Sequence, residues 1–315
     1  MTRKKIVVFW GKNRRVEKDP LLFLGESKRK YYQLFDIIDQ GADLYVVVGL
    51  KNWMGGLVFE NSFLYTKAGF IKHAGEIRAD SVWDRSASRI FPEKSRTSNK
   101  KVLNCSDFKE LARDKWATYE ELKEFSPETF LAEDRNVLNL VLEKNFDPQE
   151  KVVIKPRFGM KGNQVWIDTK DNLGLDSLLY PVVIQKFVNT EGLFENHKER
   201  AKDLRIGIVG DKMSYTGVRI APPGKLISNL AKGGVAVRIS PEEIPVLVND
   251  ITDEIISKFS KKYYSPYYSI DYGIDNNQGR VFIIEINSQI VMPPDSLDSP
   301  QLIRDLAELL IRKAA

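Results

Sequence analysis

Hydrophobic positions alternate, run on or recur at helical spacing in a regular order along the chain. Lys4–Phe9 is an apolar run of strand length, followed by a basic loop to Gly25. Ser27 then stands where a helix cap belongs, and Tyr31, Leu34, Phe35 and Ile38 fall on one helical face. Gly41 ends that helix and Leu44–Val48 is a second strand, so the opening is β-loop-α-β, a Rossmann-like start. The polar stretch Phe91–Lys101 predicts a connector, and Asn104–Lys123 a helix with Phe108, Leu111 and Lys115 on related turns. Val182–Val188 is a strand of buried type. Ile244, Leu247, Val248, Ile251, Ile255 and Phe259 form a helical stripe, and Ser299-Pro300 opens a last helix. Tyr263, Tyr264, Tyr267 and Tyr268 lead into a strand and are expected to pack.

Two strands break the apolar pattern with chemistry. In Tyr268–Asn287 the polar turn Asp275–Gly279 predicts a hairpin. By the period-two rule Val281, Ile283, Glu285 and Asn287 share a face. A loop centred near Gln278 places Asp271 opposite Glu285. Three oxygen donors on one face suit Mg²⁺; an ordinary hairpin with its polar residues in water fits the same twenty residues. Lys151–Val165 reads as a strand ending in Lys155, a loop through Gly159 and Gly162, and a second strand, VWID. Glycines let backbone N–H groups approach phosphate oxygens, and Lys155 and Arg157 bring positive charge. Neither GxxxxGK[ST] nor GxGxxG occurs.

Asp203–Gly234, DLRIGIVGDKMSYTGVRIAPPGKLISNLAKGG, adds a third segment. Lys155, Gln185-Lys186-Phe187-Val188, Arg205, Arg219, Asn229, Asp271, Glu285 and Asn287 occur in an order that resembles the ATP-grasp superfamily, in particular the glutathione synthetase-like carboxylate–amine ligases. The resemblance covers roughly residues 103–290, and SQIVMPPD after Asn287 departs from close relatives. It implies an α/β (α+β) ATP-grasp fold: a Rossmann-like pre-ATP-grasp domain over 1–102, a small lobe with its preceding helix over 103–190, and a catalytic lobe over 191–315. It implies ATP held by Lys115, Lys155, Gly159, Gly162, Gln185, Lys186, Phe187, Val188 and Glu191. Mg²⁺, or Mn²⁺, would sit on Asp271, Glu285 and Asn287, with Arg205, Arg219 and Asn229 at the reacting phosphate. The implied reaction joins a small-molecule or peptide carboxylate to an amine through an acyl phosphate, releasing ADP and phosphate, with Ala221–Gly234 as a lid. A small-molecule kinase on the same fold, or a nucleotide-binding protein without turnover, are the alternatives.

Composition constrains the rest. At 315 residues and 43% hydrophobic the chain can bury a large core. A net charge of +5 admits nucleic acid through Lys12–Arg15 and Lys28–Lys30, but 43 acidic residues are interspersed with 48 basic ones, and no nucleic-acid partner is expected. No secretory leader or membrane span is legible, and Cys105 stands alone, so the expectation is a reducing, cytoplasmic location. His73 and His197 lack zinc-site spacing. Homo-oligomers would suit the resemblance.

Overall fold

Strand β1 (Lys4–Trp10) is buried on both faces: Ile6 and Val8 enter one core, Val7 and Phe9 another. Continuous apolar sequence is what a parallel strand covered on both sides requires. Helix α1 (Lys28–Asp39) crosses from it to the parallel strand β2 (Ala42–Val48), burying Tyr31, Leu34, Phe35 and Ile38. Ser27 stands at the N-cap without a capping bond from its side chain, because a 3-10 turn over Leu22–Ser27 delivers it already in helical conformation. Strands β3 (Trp53–Gly55), β4 (Val58–Phe59), β5 (Ser62–Thr66), β6 (Gly69–His73) and β7 (Ile77–Arg78) follow; β8 (Ser81–Asp84) and β9 (Val102–Leu103) then run parallel to β1 on its other side. The first sheet has the order β6-β5-β2-β1-β8-β9, and β3-β4-β7 form a small separate sheet. This computed structural model describes residues 2–86, 100–159, 164–174, 177–191, 199–275, 279–288, 290, 292 and 299–315. The expected connector Phe91–Lys101 falls outside them except for Lys100 and Lys101.

The helix expected over Asn104–Lys123 is two helices, α2 (Ser106–Arg113) and α3 (Lys115–Glu121). Asp114 breaks them. Its backbone is extended, and its carboxylate accepts from the N–H groups of Trp116 and Ala117, capping α3 where a continuous helix would have no need of a cap. Strand β10 (Thr129–Ala132), helix α4 (Arg135–Asn145) and strands β11 (Lys151–Pro156), β12 (Trp166–Thr169) and β13 (Val182–Lys186) make an antiparallel sheet of order β10-β13-β11-β12. Helix α4 covers one face of it through Leu138 and Leu142.

A third sheet, of order β16-β15-β14-β17-β18, is built from β14 (Lys202–Val209), β15 (Lys212–Ile220), β16 (Val235–Arg238), β17 (Tyr267–Ile274) and β18 (Val281–Asn287). Helix α5 (Val246–Lys262) and Phe108 of α2 cover its back. Tyr263 and Tyr268 pack there, while Tyr267 belongs to the core of the first sheet. Helix α6 (Pro300–Ala314), capped by Ser299, returns to pack on α1, β1 and β8. Its Leu302, Leu306 and Leu310 complete the first sheet's core. The chain therefore closes on its own beginning, which holds the first and third sheets together.

Candidate active site

Between the free faces of the second and third sheets lies a cleft. From the second sheet and α3 it receives Lys115, Lys155, Gly159, Gln185 and Lys186, with Phe187 and Val188 just past the end of β13. From the third sheet come Arg219, Asp271 and Glu285, and from the segment between β15 and β16 comes Asn229. Three other expected residues do not line it: Arg205 stands behind Asp271, Asn287 contacts Asp271 from one side, and Glu191 lies off the wall. Gly162 lies outside the described residues.

Asp271 pairs with Glu285 across β17 and β18, and Ser269 with Asn287. A bulge follows, so that Tyr272 pairs with Ile283 and Ile284 is the extra residue. The bulge corrects the simple alternation. Val281 and Ile283 belong to the hydrophobic core with Ile286, whereas Ile284 and Glu285 both line the cleft. One inserted residue thus switches the face of the strand in mid-course.

The three oxygen-bearing residues are not equivalent. Asp271, 1% exposed, accepts from Arg205 Nε and Nη2 at 2.7 Å each and from Arg219 Nη2 at 2.7 Å. Asn287 Nδ2 donates to the same carboxylate at 3.2 Å. Arg219 also donates from Nε to Asp203 Oδ1 at 2.6 Å, and Ser228 donates to Asp203 Oδ2. Burial alone would raise the Asp271 pKa, but the two guanidiniums prevail and hold it below the usual carboxylate range. Burial would likewise lower Arg205 and Arg219, yet Asp271 and Asp203 keep both raised.

Glu285, by contrast, makes no hydrogen bond or ion pair among the described residues. It faces two ammonium groups that also lack a direct anionic partner. Lys155 Nζ donates to Gln185 Oε1 at 3.1 Å and meets the Ile284 carbonyl at 3.5 Å, and Lys115 Nζ donates to the Gly159 carbonyl at 2.8 Å. Burial pushes Lys155 down to about 8; Glu285 resists the shift and neighbouring Lys115 adds to it. Lys115 is lowered by burial too, against Glu285 and Asp114. Two desolvated cations held by neutral oxygens around one carboxylate form a charge arrangement that an anionic ligand would complete.

The donor set fits a hard divalent cation of a particular kind. Glu285 has both oxygens available and Asn287 has its amide oxygen, whereas Asp271 would have to share oxygens already accepting from arginine. Mg²⁺ takes one or two carboxylates and completes its shell with phosphate oxygens and water, so Glu285 and Asn287 suffice. No group of three acidic, histidine or cysteine ligands occurs among the described residues.

Several residues of the site carried no assignment from sequence. Lys202, 2% exposed, lines the cleft and donates from Nζ to the carbonyls of Glu191 at 2.6 Å and Arg200 at 3.0 Å. Asp203 could have been found, since period-two alternation in DLR places it beside Arg205. Val153, Ile167 and Ile284 supply an apolar slot that no motif announced. Asp114 accepts two hydrogen bonds from Arg157, from Nε at 2.8 Å and Nη2 at 2.7 Å, and the Lys115 N–H donates to the Arg157 carbonyl at 3.1 Å. The broken helix thereby ties Lys115 to the Gly159 loop. At the far end of the 221–234 segment, a Cβ on Gly234 would stand 2.2 Å from the Ser228 carbonyl oxygen, so only glycine fits. Among the described residues no helix is long and apolar enough to cross a membrane.

Residues 112–296, more than half of the chain, match the family model of the RimK-like ATP-grasp domain. No curated protein matches the chain by sequence. Among solved structures it is similar to the D-alanyl-alanine synthetase A of Vibrio cholerae, with TM-score 0.63 and 13% identity over 100% of this chain and 98% of that one. It is also similar to a RiPP-associated ATP-grasp ligase of Chryseobacterium gregarium, solved with ADP and a leader and core peptide, at TM-score 0.59 and 15% identity over 99% and 98%. A RimK domain protein of Sphaerobacter thermophilus gives TM-score 0.54 and 12% identity over 98% and 99%. At such identities these likenesses speak for the fold. Together with the family match they show that this chain belongs to the RimK-like ATP-grasp family.

Proposed function

We propose that this protein is an ATP-dependent carboxylate–amine ligase that works through an acyl phosphate and releases ADP and phosphate. The observation that carries the reading is the cluster of Lys115, Lys155 and Glu285: a buried ammonium group and a half-buried one, each with only neutral hydrogen-bond partners among the described residues, set around one carboxylate in a cleft with an apolar slot. A nucleotide with a polyphosphate tail matches both parts. Val153, Ile167 and Ile284 would enclose the base. Phe187 and Val188, past the last ladder residue Lys186, would offer it backbone groups. Lys155, Lys115 and the Gly159 backbone would hold the phosphates. In this reading lobes 103–190 and 191–315 enclose ATP, and residues 1–102 serve the substrate that is not the nucleotide.

Transfer of the γ-phosphoryl group to a substrate carboxylate is limited by repulsion among anionic oxygens more than by proton transfer. Arg219 is well placed to reduce it: its guanidinium lines the cleft and is fixed by Asp203 and Asp271. Arg205 positions Asp271, and through it Arg219, and does not itself reach the cleft wall. Mg²⁺ held by Glu285 and Asn287 would neutralise phosphate charge. Once the carboxylate has displaced ADP, the acyl phosphate must be kept from water until an amine attacks its carbonyl carbon and phosphate leaves. Leu226, Ile227 and Asn229 lie over the same cleft and could exclude that water.

The test is trapping. Purified protein with ATP, Mg²⁺ and a panel of amino acids and short peptides should release ADP only with the right acid. Hydroxylamine in place of the amine should give a hydroxamate detectable by mass. A stable phosphoester with no hydroxamate from any acid would replace the ligase by a kinase.

A further inference from the structure

At the carboxyl ends of β1 and β8, away from the cleft, the first sheet holds an arginine whose buried donors have no hydrogen-bond partner among the described residues. The order β2-β1-β8 makes this a topological switch point: the crossover from β1 runs to one side, while β8 lies on the other. Open α/β sheets bind ligands at such points. Arg85, the residue after β8, has two buried guanidinium nitrogens, Nε and Nη1, with no hydrogen-bond partner. Its nearest carboxylate in sequence is already used: Asp84 accepts from Lys109 through Oδ2 and from the Ser86 N–H through Oδ1 at 2.8 Å. Leaving a charged donor buried and unpaired costs far more than leaving a neutral one.

The surroundings repeat the pattern. The Arg85 guanidinium lies 5.0 Å from the centre of the Trp83 ring, and Trp83 contacts Tyr31 at 5.7 Å and Tyr267 at 6.0 Å. Trp83 Nε1, Tyr31 Oη and Tyr267 Oη are all buried without a hydrogen-bond partner as well. Orphaned polar atoms are uncommon one at a time in native proteins, and here they adjoin one another. The loop after β1 adds positive charge at the same edge: the Arg14 guanidinium sits 4.0 Å over Phe23, which packs on Trp10 at 5.6 Å. This is the basic stretch that nucleotide binding does not use.

Tyr267 connects the cluster to the cleft. Tyr267, Ser269 and Asp271 alternate onto one face of β17, so the cluster begins about 13 Å along the strand from Asp271. We propose that the ends of β1 and β8 form an oxyanion subsite, anchored by Arg85, for a second carboxylate or a phosphate on the ligase substrate. A substrate reaching both points would be longer than a single amino acid: an extended acid, anionic at the end far from the reacting carboxyl group. The identity of that substrate rests on the ligase reading; the existence of the anion site does not.

Calorimetric titration of the full chain with glutarate, and separately with inorganic phosphate, tests the site directly. Arg85→Gln should weaken binding of the preferred probe by roughly tenfold or more, and Arg85→Lys should retain most of it. Whichever probe responds tells carboxylate from phosphate. Equal affinity in the wild type and Arg85→Gln, or no binding of either probe to the wild type, would overturn the proposal. Should Arg85→Gln fail to fold, tryptophan emission decides: saturating probe should change the wild-type spectrum and leave Trp83→Phe unchanged, and an unaltered wild-type spectrum sinks the site. The two readings fail separately. Arg85-dependent binding with no turnover of any acid would refute the ligase alone, whereas turnover indifferent to Arg85 with no probe binding would refute the subsite alone.

Discussion

Two charged groups sit side by side on the third sheet and follow opposite rules. Around Asp271, two arginines and an amide meet one carboxylate, and Asp203 accepts from Nε of Arg219, so every buried charge has a partner within 2.7 Å. Around Glu285, Lys115 and Lys155 are bonded to a carbonyl and a side-chain amide, and the carboxylate has no direct partner among the described residues. The first arrangement is finished without a ligand and holds its members still. The second carries desolvation that a bound polyphosphate would relieve. On the proposed function, complete pairing marks the scaffold and incomplete pairing the place of chemistry, although both groups come from the same short motifs.

The strongest way to break this contrast is Asp271→Asn. Arg205 and Arg219 would then be buried side by side with their shared counter-charge gone, and loss of one partner from a buried network costs about 3–5 kcal/mol. Denaturant unfolding should show a loss of that size. A change under ~1 kcal/mol would mean that the pairs are not structural. Glu285→Gln, at the same register position, should leave unfolding nearly level while ATP turnover collapses.

Lys155→Met should come next in size, with its effect on chemistry. Removing one cation that stabilises the transferring phosphoryl group should lower kcat by a factor of about 10²–10³, or 2.7–4 kcal/mol. Thermal stability should hold or rise, since a desolvated charge is replaced by an apolar chain of similar length. Undiminished turnover would remove Lys155 from the site.

Asp114→Ala tests the tie between α3 and the Gly159 loop. The substitution removes the α3 cap and leaves Arg157 without its bidentate partner, with an expected loss of about 1–2 kcal/mol from the cap. Because the same residue holds Lys115 against the Gly159 loop, the KM for ATP should rise more than kcat falls. Steady-state kinetics over a range of ATP concentrations would separate the two.

A last effect is in pH. Lys155 has its folded pKa lowered to about 8 by burial, from 10.5 in the unfolded chain. Its contribution to stability is therefore full above 10.5 and is lost as pH falls through 8, so stability should gain between those values relative to Lys155→Met. Nucleotide binding should go the other way, weakening as pH rises through 8, because it needs the ammonium form. ADP binding above pH 8 should take up a proton, measurable by calorimetry in buffers of different ionisation enthalpy. No proton uptake would imply that the phosphates rest elsewhere.

Much of this could be read along the chain, and the rest was hidden for identifiable reasons. The position of Asp271 opposite Glu285 follows from the length and polarity of the turn between their strands. The end of the Lys151–Lys155 run marks a strand entering a glycine loop. The break at Asp114 was missed because the apolar spacing of Phe108 and Leu111 continues in helical phase, and its cause is Arg157, 43 residues away. The bulge at Ile284 was missed because VFIIEIN satisfies either phasing equally well, and only the core beneath Ile283 and Ile286 chooses.

By itself the sequence determined the opening β-loop-α-β, the strand that enters the Gly159 loop, the hairpin that sets Asp271 opposite Glu285 and the apolar helical stripes, since these depend on neighbours a few residues apart, and it supplied the side chains proposed to hold a nucleotide. Tertiary structure alone decided which of those charges are paired. Arg205 and Arg219 reach Asp271 from strands 66 and 52 residues away, while nothing comparable reaches Glu285 among the described residues. A charge is stabilised or left unsatisfied by what lies within a few ångströms in space, and that distance is set only when the sheets have packed.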